Sequence, residues 1–516
     1  MGKIRKAVIS VHDKTGIEEL ARFLVNNGVK IISSGGTQKR LEEAGIECQA
    51  VSNLTAFPEI LGGRVKTLHP IIFSGILAKR DNEHLKQLDE QNIEPIDLVI
   101  VNLYPFEETI AARDCTLDMA VENIDIGGPS LIRAAAKNYA WTTVLISPDQ
   151  YDELQEQLKN NDMQTSAKFR HHCAVRAFEH TARYNSLIAD YLKNDLTEIE
   201  EFSREMSISG IKVNNLRYGE NPHQSAAYYS FSRENPLNNF KQLHGKELSY
   251  NNLLDLDAAL SIVSDFDENF VVIIKHSNPC GAAHADTLLD AYKFAWESDS
   301  LSAFGGIVGL NRQVDEEVAK EMSGHFFECV LAPDYSSAAL DILQKKKNLR
   351  LLNYVPGQID RFKYQIRSLT GGFLVQRKDN VSFDIKEGKV VTRRVPDETE
   401  WKAMAFAWKM VKHVHSNAII YTTDQQLIGV GAGQMSRIDA AELAVKKAEQ
   451  NLHSTNRTVC ASDAFFPFKD GIEALAEAGI TAVVQPGGSI RDEEVIRAAD
   501  SNGITMVMTG MRHFKH

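Results

Sequence analysis

A lysine and a histidine stand side by side at positions 275 and 276, where the apolar run Val271, Val272, Ile273, Ile274 stops. An ammonium beside an imidazole can move a proton and steady a developing negative charge. The β-branched run predicts a strand buried on both faces, and Asn278, Pro279 and Gly281 predict a tight turn that ends it. Open α/β sheets bind ligands at the carboxyl ends of their strands, so Lys275 and His276 fall where a substrate would sit. Neighbouring strand residues point to opposite faces, so the pair can serve one site only if the chain leaves regular strand geometry there. In isolation such a pair reads more simply as a satisfied strand-end histidine next to a surface lysine, and its weight comes from the rest of the chain.

Several other stretches offer charge and hydrogen bonds to an anion. Ser33, Ser34, Gly35, Gly36 and Thr37 lie between a strand pattern and a helix pattern, where backbone N–H groups and the helix dipole favour phosphate. Glycine lets the backbone approach the oxygens, and Thr37 suits a helix cap. Ser10 and Lys14 leave the preceding strand at the same sheet edge and add a hydroxyl and a cation. Residues 62–70, GGRVKTLHP, form a glycine-opened loop carrying Arg64, Lys66, Thr67 and His69. Asn102 and Tyr104 end the next apolar strand, and Asp125 precedes Gly127, Gly128 and Pro129, which open a helix. On that helix Arg133 and Lys137 are four apart, so they share a face and lean toward its amino-terminal end. The expectation is one strand-end crevice where lysine, tyrosine and aspartate side chains meet.

Further along, RYGENPHQ at 217–224 is a loop dense in hydrogen-bonding side chains and begins with Arg217 and Tyr218. SYNN at 249–252 precedes an apolar helix and reads as its cap. SAFGG at 302–306 and SDAFFPF at 462–468 place aromatics near glycine and proline turns. Gly429, Gly431 and Gly433 lie between a strand and a helix, the place of a dinucleotide fingerprint and hence of a nicotinamide oxidoreductase. The spacing is G-x-G-x-G, however, and no acidic residue closes a following strand about 20 positions on. Pro279-Cys280 echoes the P-C-x-x-C of zinc deaminases, but the second cysteine is missing and no H-x-E precedes it, so no metal is expected.

Positioning these groups requires alternating strands and helices. Strands are predicted over 6–11, 29–33, 97–103 and 142–147 and helices over 17–27 and 37–44, a doubly wound parallel domain covering residues 1–147. Residues 148–209 read as a helical connection, its basic and histidine residues between 169 and 192 mostly on a solvated face, ending in an acidic linker over 197–209. From 210 to 516 two strand–turn–helix passages, one around 270–296 and one around 418–449, suggest a duplicated α/β unit. At 516 residues the chain is long enough for about three domains. Its net charge of -12 argues against nucleic-acid or membrane binding. The six cysteines show no paired spacing, no window suits a membrane span and the first residues do not form a signal peptide, which points to a cytoplasmic protein.

Assembled, KHSNPCG, RYGENPHQ, SNAI, GAGQMSR, SDAFFPF and QPGGSIRD occur in the order in which they appear in the bifunctional purine-biosynthesis enzymes. Those enzymes join an IMP cyclohydrolase to an aminoimidazole carboxamide ribonucleotide (AICAR) formyltransferase, and the resemblance covers nearly the whole chain. It implies a methylglyoxal-synthase-like domain followed by duplicated cytidine-deaminase-like domains without zinc. It implies that Ser10, Lys14, Ser34, Gly36, Thr37, Arg64 and Thr67 hold a ribonucleotide phosphate beside Asn102, and that Lys66, Tyr104, Asp125 and Lys137 carry ring closure. For the transferase it implies 10-formyltetrahydrofolate as co-substrate, His276 as base and Lys275 as its electrostatic partner. Arg217, Tyr218, Asn417, Arg437, Arg512, Phe514 and His516 would then position the nucleotide in a homodimer. The remaining alternative is a nucleotide-binding regulatory protein, which shares the phosphate pocket but does not need Lys275 and His276.

Overall fold

The apolar runs of the first 145 residues form four parallel strands, and the two-residue strand Gln49–Ala50 adds a fifth at one edge, in the order Gln49–Ala50, Lys30–Ser33, Lys6–Val11, Leu98–Asn102 and Thr143–Leu145. Ser10 pairs with Val101 and Val11 with Asn102. The chain steps outward in both directions from Lys6–Val11, so a crevice opens between the carboxyl ends of that strand and Leu98–Asn102. Helix Ile17–Asn26 buries Ile17, Leu20 and Leu24, and helix Gly127–Lys137 buries Leu131, Ile132 and Ala135. The computed structural model describes residues 2–112, 114–193, 201–231, 240–357 and 364–516, and the chain divides into two compact units, Met1–Gly210 and Ile211–His516.

The stretch expected to be a connection is largely part of the first unit. Helices Tyr151–Asn160 and Ala167–Lys193 bury Leu154, Leu158, Phe169, Cys173 and Ala177 in the same core. Two of the basic residues expected on a solvated face turn inward: Arg170 donates to the Tyr139 carbonyl at 2.8 Å, and Arg183 pairs with Glu107 at 2.7 Å. Of the acidic linker, residues 197–200 lie outside the described residues, and 201–209 form neither helix nor strand.

The second unit contains two six-stranded sheets with the same order. The first runs Asn278–Ala285, Asn269–Lys275, Ile307–Leu310, Cys329–Ala332, Arg350–Asn353, Lys241–His244. The second runs Leu427–Gly431, Ile419–Thr422, Val459–Ser462, Ala482–Gln485, Thr505–Met508, Lys389–Val390. Each has an antiparallel hairpin at one edge, parallel pairs through the middle and an antiparallel strand at the other edge. A shared core joins the two sheets through Leu256, Phe270 and Ile274 on one side and Met404, Trp408 and Ile420 on the other.

Matching glycines repeat in both halves. A Cβ on Gly281 would lie 1.9 Å from the Ala295 carbonyl oxygen, and one on Gly431 would lie 1.8 Å from that of Ala440. Gly429 would meet the Ala444 oxygen at 2.4 Å. The glycines at 429 and 431 therefore let helix Arg437–Gln450 lie flat against its strand. That packing role explains a run that does not fit the dinucleotide spacing. Among the described residues no group of three or more His, Cys, Asp or Glu is placed to hold a metal ion, and no helix is long and apolar enough to cross a membrane.

Candidate active sites

In the first unit a cavity of about 690 Å³ opens at the crevice between the two central strands. Helix Gly35–Glu43 starts directly behind strand Lys30–Ser33, and Ser34 at its N-cap is extended (φ -142, ψ 162) with no side-chain cap bond. The first-turn N–H groups are thus left to a ligand or solvent. Two ammonium groups converge there: Lys66 Nζ lies 3.1 Å from where a Gly35 Cβ would stand, and Lys14 Nζ lies 3.8 Å from that of Gly36. Thr37 does not cap the helix. It is buried within the first turn, and its hydroxyl bridges the Val11 N–H and carbonyl, both at 2.9 Å, so only its backbone is available to a ligand.

Asn102 also has a structural task, since its Oδ1 accepts from the His12 N–H at 2.6 Å and the Asp13 N–H at 2.9 Å and so shapes the loop that carries Lys14. Ser10, Ser34, Arg64 and Thr67 line the cavity. Arg64 is paired with Glu122, and Lys66 lies 3.5 Å from Glu59. Tyr104 is 49% exposed at the rim, its ring 5.2 Å from that of His12. Asp125 is half-buried, with Oδ1 accepting from the Gly128 N–H at 2.8 Å. Burial raises its pKa, and N–H groups of Gly128, Tyr104 and Gly127 offset part of that rise.

Lys137 is not brought to this cavity within one chain. It is the exposed last residue of helix Gly127–Lys137, whose first residues line the cavity. Ten residues along a helix amount to about 15 Å, more than a side-chain lean recovers. Sequence reasoning also passed over His12, which stands inside the same motif as Ser10 and Lys14 and lines the cavity.

In the second unit the turn lies earlier than predicted. Asn278 opens a second strand, paired with Lys275, and the turn is His276–Ser277. Both turn residues are left-handed, with φ of 52 and 60. This departure from strand geometry brings Lys275 and His276 to the wall of a cavity of about 540 Å³, together with Arg217 and Tyr218. Lys275 Nζ is anchored on the carbonyls of Phe304 at 2.9 Å and Gly305 at 3.2 Å. Lys275 also lines a smaller cavity, of about 180 Å³, with Asn278, Cys280, Ser302, Ile428 and the ion pair Asp299–Lys447. Burial pushes the Cys280 thiol up to about 12, which leaves it an unreactive thiol at neutral pH.

Asn417, Arg437 and the carboxyl-terminal residues do not line the larger cavity. They form a cluster of their own: Arg437 donates to Asn417 at 3.0 Å and to Ser462 at 2.7 Å and is paired with Asp463 at 2.6 Å. Arg512 lies 4.4 Å above the Phe514 ring, and the Phe514 and His516 rings are 5.5 Å apart. Lys515 ties this tail to Ser416, whose N–H reaches the Lys515 carbonyl at 2.8 Å. One link leads back to the turn: Asn278 accepts from the His415 N–H at 3.0 Å and donates to the His276 carbonyl at 3.3 Å. Sequence reasoning missed Asp255 and Arg350, which line the larger cavity. Asn251, Asn252 and Asp255 are polar at helical spacing on an apolar helix, a readable signal, whereas Arg350 at the start of a strand offers none.

The model of the AICARFT/IMPCHase bienzyme family matches residues 135–447, and that of the MGS-like domain matches residues 16–130. This chain belongs to the AICARFT/IMPCHase bienzyme family. Among relatives of the family, the bifunctional purine biosynthesis protein PurH of Halalkalibacterium halodurans is 49% identical over 99% of this chain and 100% of its own length. The protein of that name from Bacillus cereus is 48% identical over 99% of this chain and 100% of its own. The crystal structure of ForH is 33% identical, covers 37% of this chain and 99% of its own with a TM-score of 0.34, and adds nothing to the AICARFT/IMPCHase assignment.

Proposed function

We infer that this chain carries out the two steps of its family, formyl transfer to AICAR in the second unit and dehydrative closure of formyl-AICAR to IMP in the first. Membership of a family named for both activities supports the pairing. The observation that carries the assignment of the transfer step is the position of Lys275, on the walls of two cavities at once. The larger cavity, with Arg217, Tyr218 and His276, takes the nucleotide, and the smaller one receives the reacting end of 10-formyltetrahydrofolate. The nucleotide's amine attacks the formyl carbon while His276 takes its proton. Lys275 holds the oxyanion, and the folate nitrogen leaves with a proton as its bond to the formyl carbon breaks. Asn417, Arg437, Arg512, Phe514 and His516 act from the neighbouring cluster.

In the first unit Ser10, Lys14, Ser34, Gly36, the Thr37 backbone, Arg64 and Thr67 hold the phosphate, with Asn102 shaping their loop. Asp125 takes the carboxamide proton as its nitrogen attacks the formyl carbon. Lys66 stabilises the oxyanion, which takes a proton to become a hydroxyl. The C–O bond then breaks as the former formamide nitrogen gives up its proton to form the ring C=N, and the oxygen departs as water with Tyr104 donating to it. Lys137 has no part in this reading within one chain. Neither step calls on a metal ion, and by family the enzyme works as a homodimer in the cytoplasm.

Incubating the protein with AICAR and 10-formyltetrahydrofolate is expected to yield IMP. Lys275→Arg keeps the charge but changes its reach, so it is expected to impair transfer by about a hundredfold and to spare ring closure. Binding of the nucleotide without turnover would contradict this reading in favour of a regulatory protein.

A further inference from the structure

The turn that carries His276 is an unusual choice of residues for its shape. Two-residue hairpin loops with both φ values positive favour Asn-Gly or Gly-Gly, because side chains beyond Cβ crowd the backbone in the left-handed region. Here the two positions are His276 (φ 52) and Ser277 (φ 60). Something outside the turn must hold it. Asp255, on helix Tyr250–Val263, accepts from the Ser277 N–H at 2.6 Å and lies 3.4 Å from the Ser277 hydroxyl. A carboxylate accepting a backbone N–H makes a short, strong bond. The helix beneath is fixed in turn by a capping box between Ser249 and Asn252. The carbonyl of His276 is held from the other side by Asn278 at 3.3 Å.

We propose that Asp255 is a positioning residue for formyl transfer: its carboxylate holds the Ser277 N–H and thereby keeps His276 in the left-handed turn from which it lines the nucleotide cavity. This rests on the reading of His276 as the base. Asp255 takes no proton and contacts no reacting atom. Its effect on the rate passes through the backbone of the turn.

The test uses the full-length protein and four variants, Asp255→Ala, Asp255→Asn, Ser277→Gly and the double variant Asp255→Ala/Ser277→Gly. Ring closure of supplied formyl-AICAR and thermal melting serve as controls. Misplacing a catalytic group by an ångström costs up to a hundredfold, so Asp255→Ala is expected to lower the transferase kcat by about ten- to a hundredfold. KM for AICAR should stay within about twofold, the signature of an interaction that matters to the transition state rather than to binding. Asp255→Asn keeps an acceptor oxygen and falls between the two. Glycine adopts the left-handed region freely, so Ser277→Gly stays near the unaltered rate and the double variant recovers most of the lost kcat. A raised KM with kcat intact would overturn the proposal by making Asp255 a substrate contact, and no recovery in the double variant would overturn it by excluding the turn. If Asp255→Ala does not fold, Asp255→Asn with and without Ser277→Gly gives the same comparison. His276→Ala is measured in parallel, and its retaining transfer would defeat the reading of His276 itself, whatever the Asp255 variants show.

Discussion

Asp125 shows what a single side chain owes to its surroundings. An exposed aspartate titrates near pH 3.9, too weak a base to draw a proton from a carboxamide nitrogen with much effect. Half-buried at the start of helix Gly127–Lys137, its carboxyl is raised in pKa by lost hydration more than three N–H groups lower it. Ring closure needs the ionised form, which is lost as pH falls through the raised pKa. The acid limb of kcat/KM for ring closure is therefore expected to inflect above the ordinary carboxylate range and to vanish in Asp125→Asn. An inflection at the ordinary carboxylate value would contradict the effect of burial. Residue types at this scale were legible in the sequence: Lys14, Lys66, Arg64 and Thr67 could be picked out as an anion set, and the structure places all four around one cavity. The assignment of Thr37 as a cap failed because its hydroxyl is used on Val11, a contact between residues 26 apart.

At the scale of elements, the loop that enters helix Gly127–Lys137 fixes where Asp125 points. A Cβ on Gly128 would fall 2.4 Å from Asp125 Oδ2 and 2.7 Å from Leu103 Cδ2. Gly128→Ala is therefore expected to displace the carboxylate and lower ring closure by about tenfold or more while leaving formyl transfer unchanged. Separate assays of the two half-reactions check this, and an unchanged ring-closure rate would show that the carboxylate's position is not critical. Four strands of the first sheet were readable because buried parallel strands leave continuous apolar runs, whereas the two-residue edge strand Gln49–Ala50 leaves none. Helices Pro70–Leu77, Asn82–Glu90 and Leu117–Glu122 were not, being short segments whose place depends on tertiary contacts. The turn at His276–Ser277 was misplaced for a related reason: no glycine marks it, and proline and glycine two to four residues later drew the prediction forward. Helical periodicity gives the face that Lys137 occupies but not its position along the axis, so its distance from this cavity within one chain was not legible.

Across the whole molecule, the chain order of its motifs and two faintly similar strand–turn–helix passages were enough to suggest the duplication. The two sheets prove to share one strand order, with a glycine under each packed helix. The extent of the first unit was less legible, because an amphipathic helix reads alike whether it bridges domains or completes a core. Each unit carries its own cavity, and the central claim is that each performs its own reaction. Measuring both half-reactions on two full-length variants, Asp125→Asn and His276→Ala, tests this most directly. His276→Ala is expected to lose formyl transfer by about a hundredfold or more while closing supplied formyl-AICAR at the unaltered rate, and Asp125→Asn is expected to do the reverse. Loss of both reactions in either folded variant would contradict two separate sites.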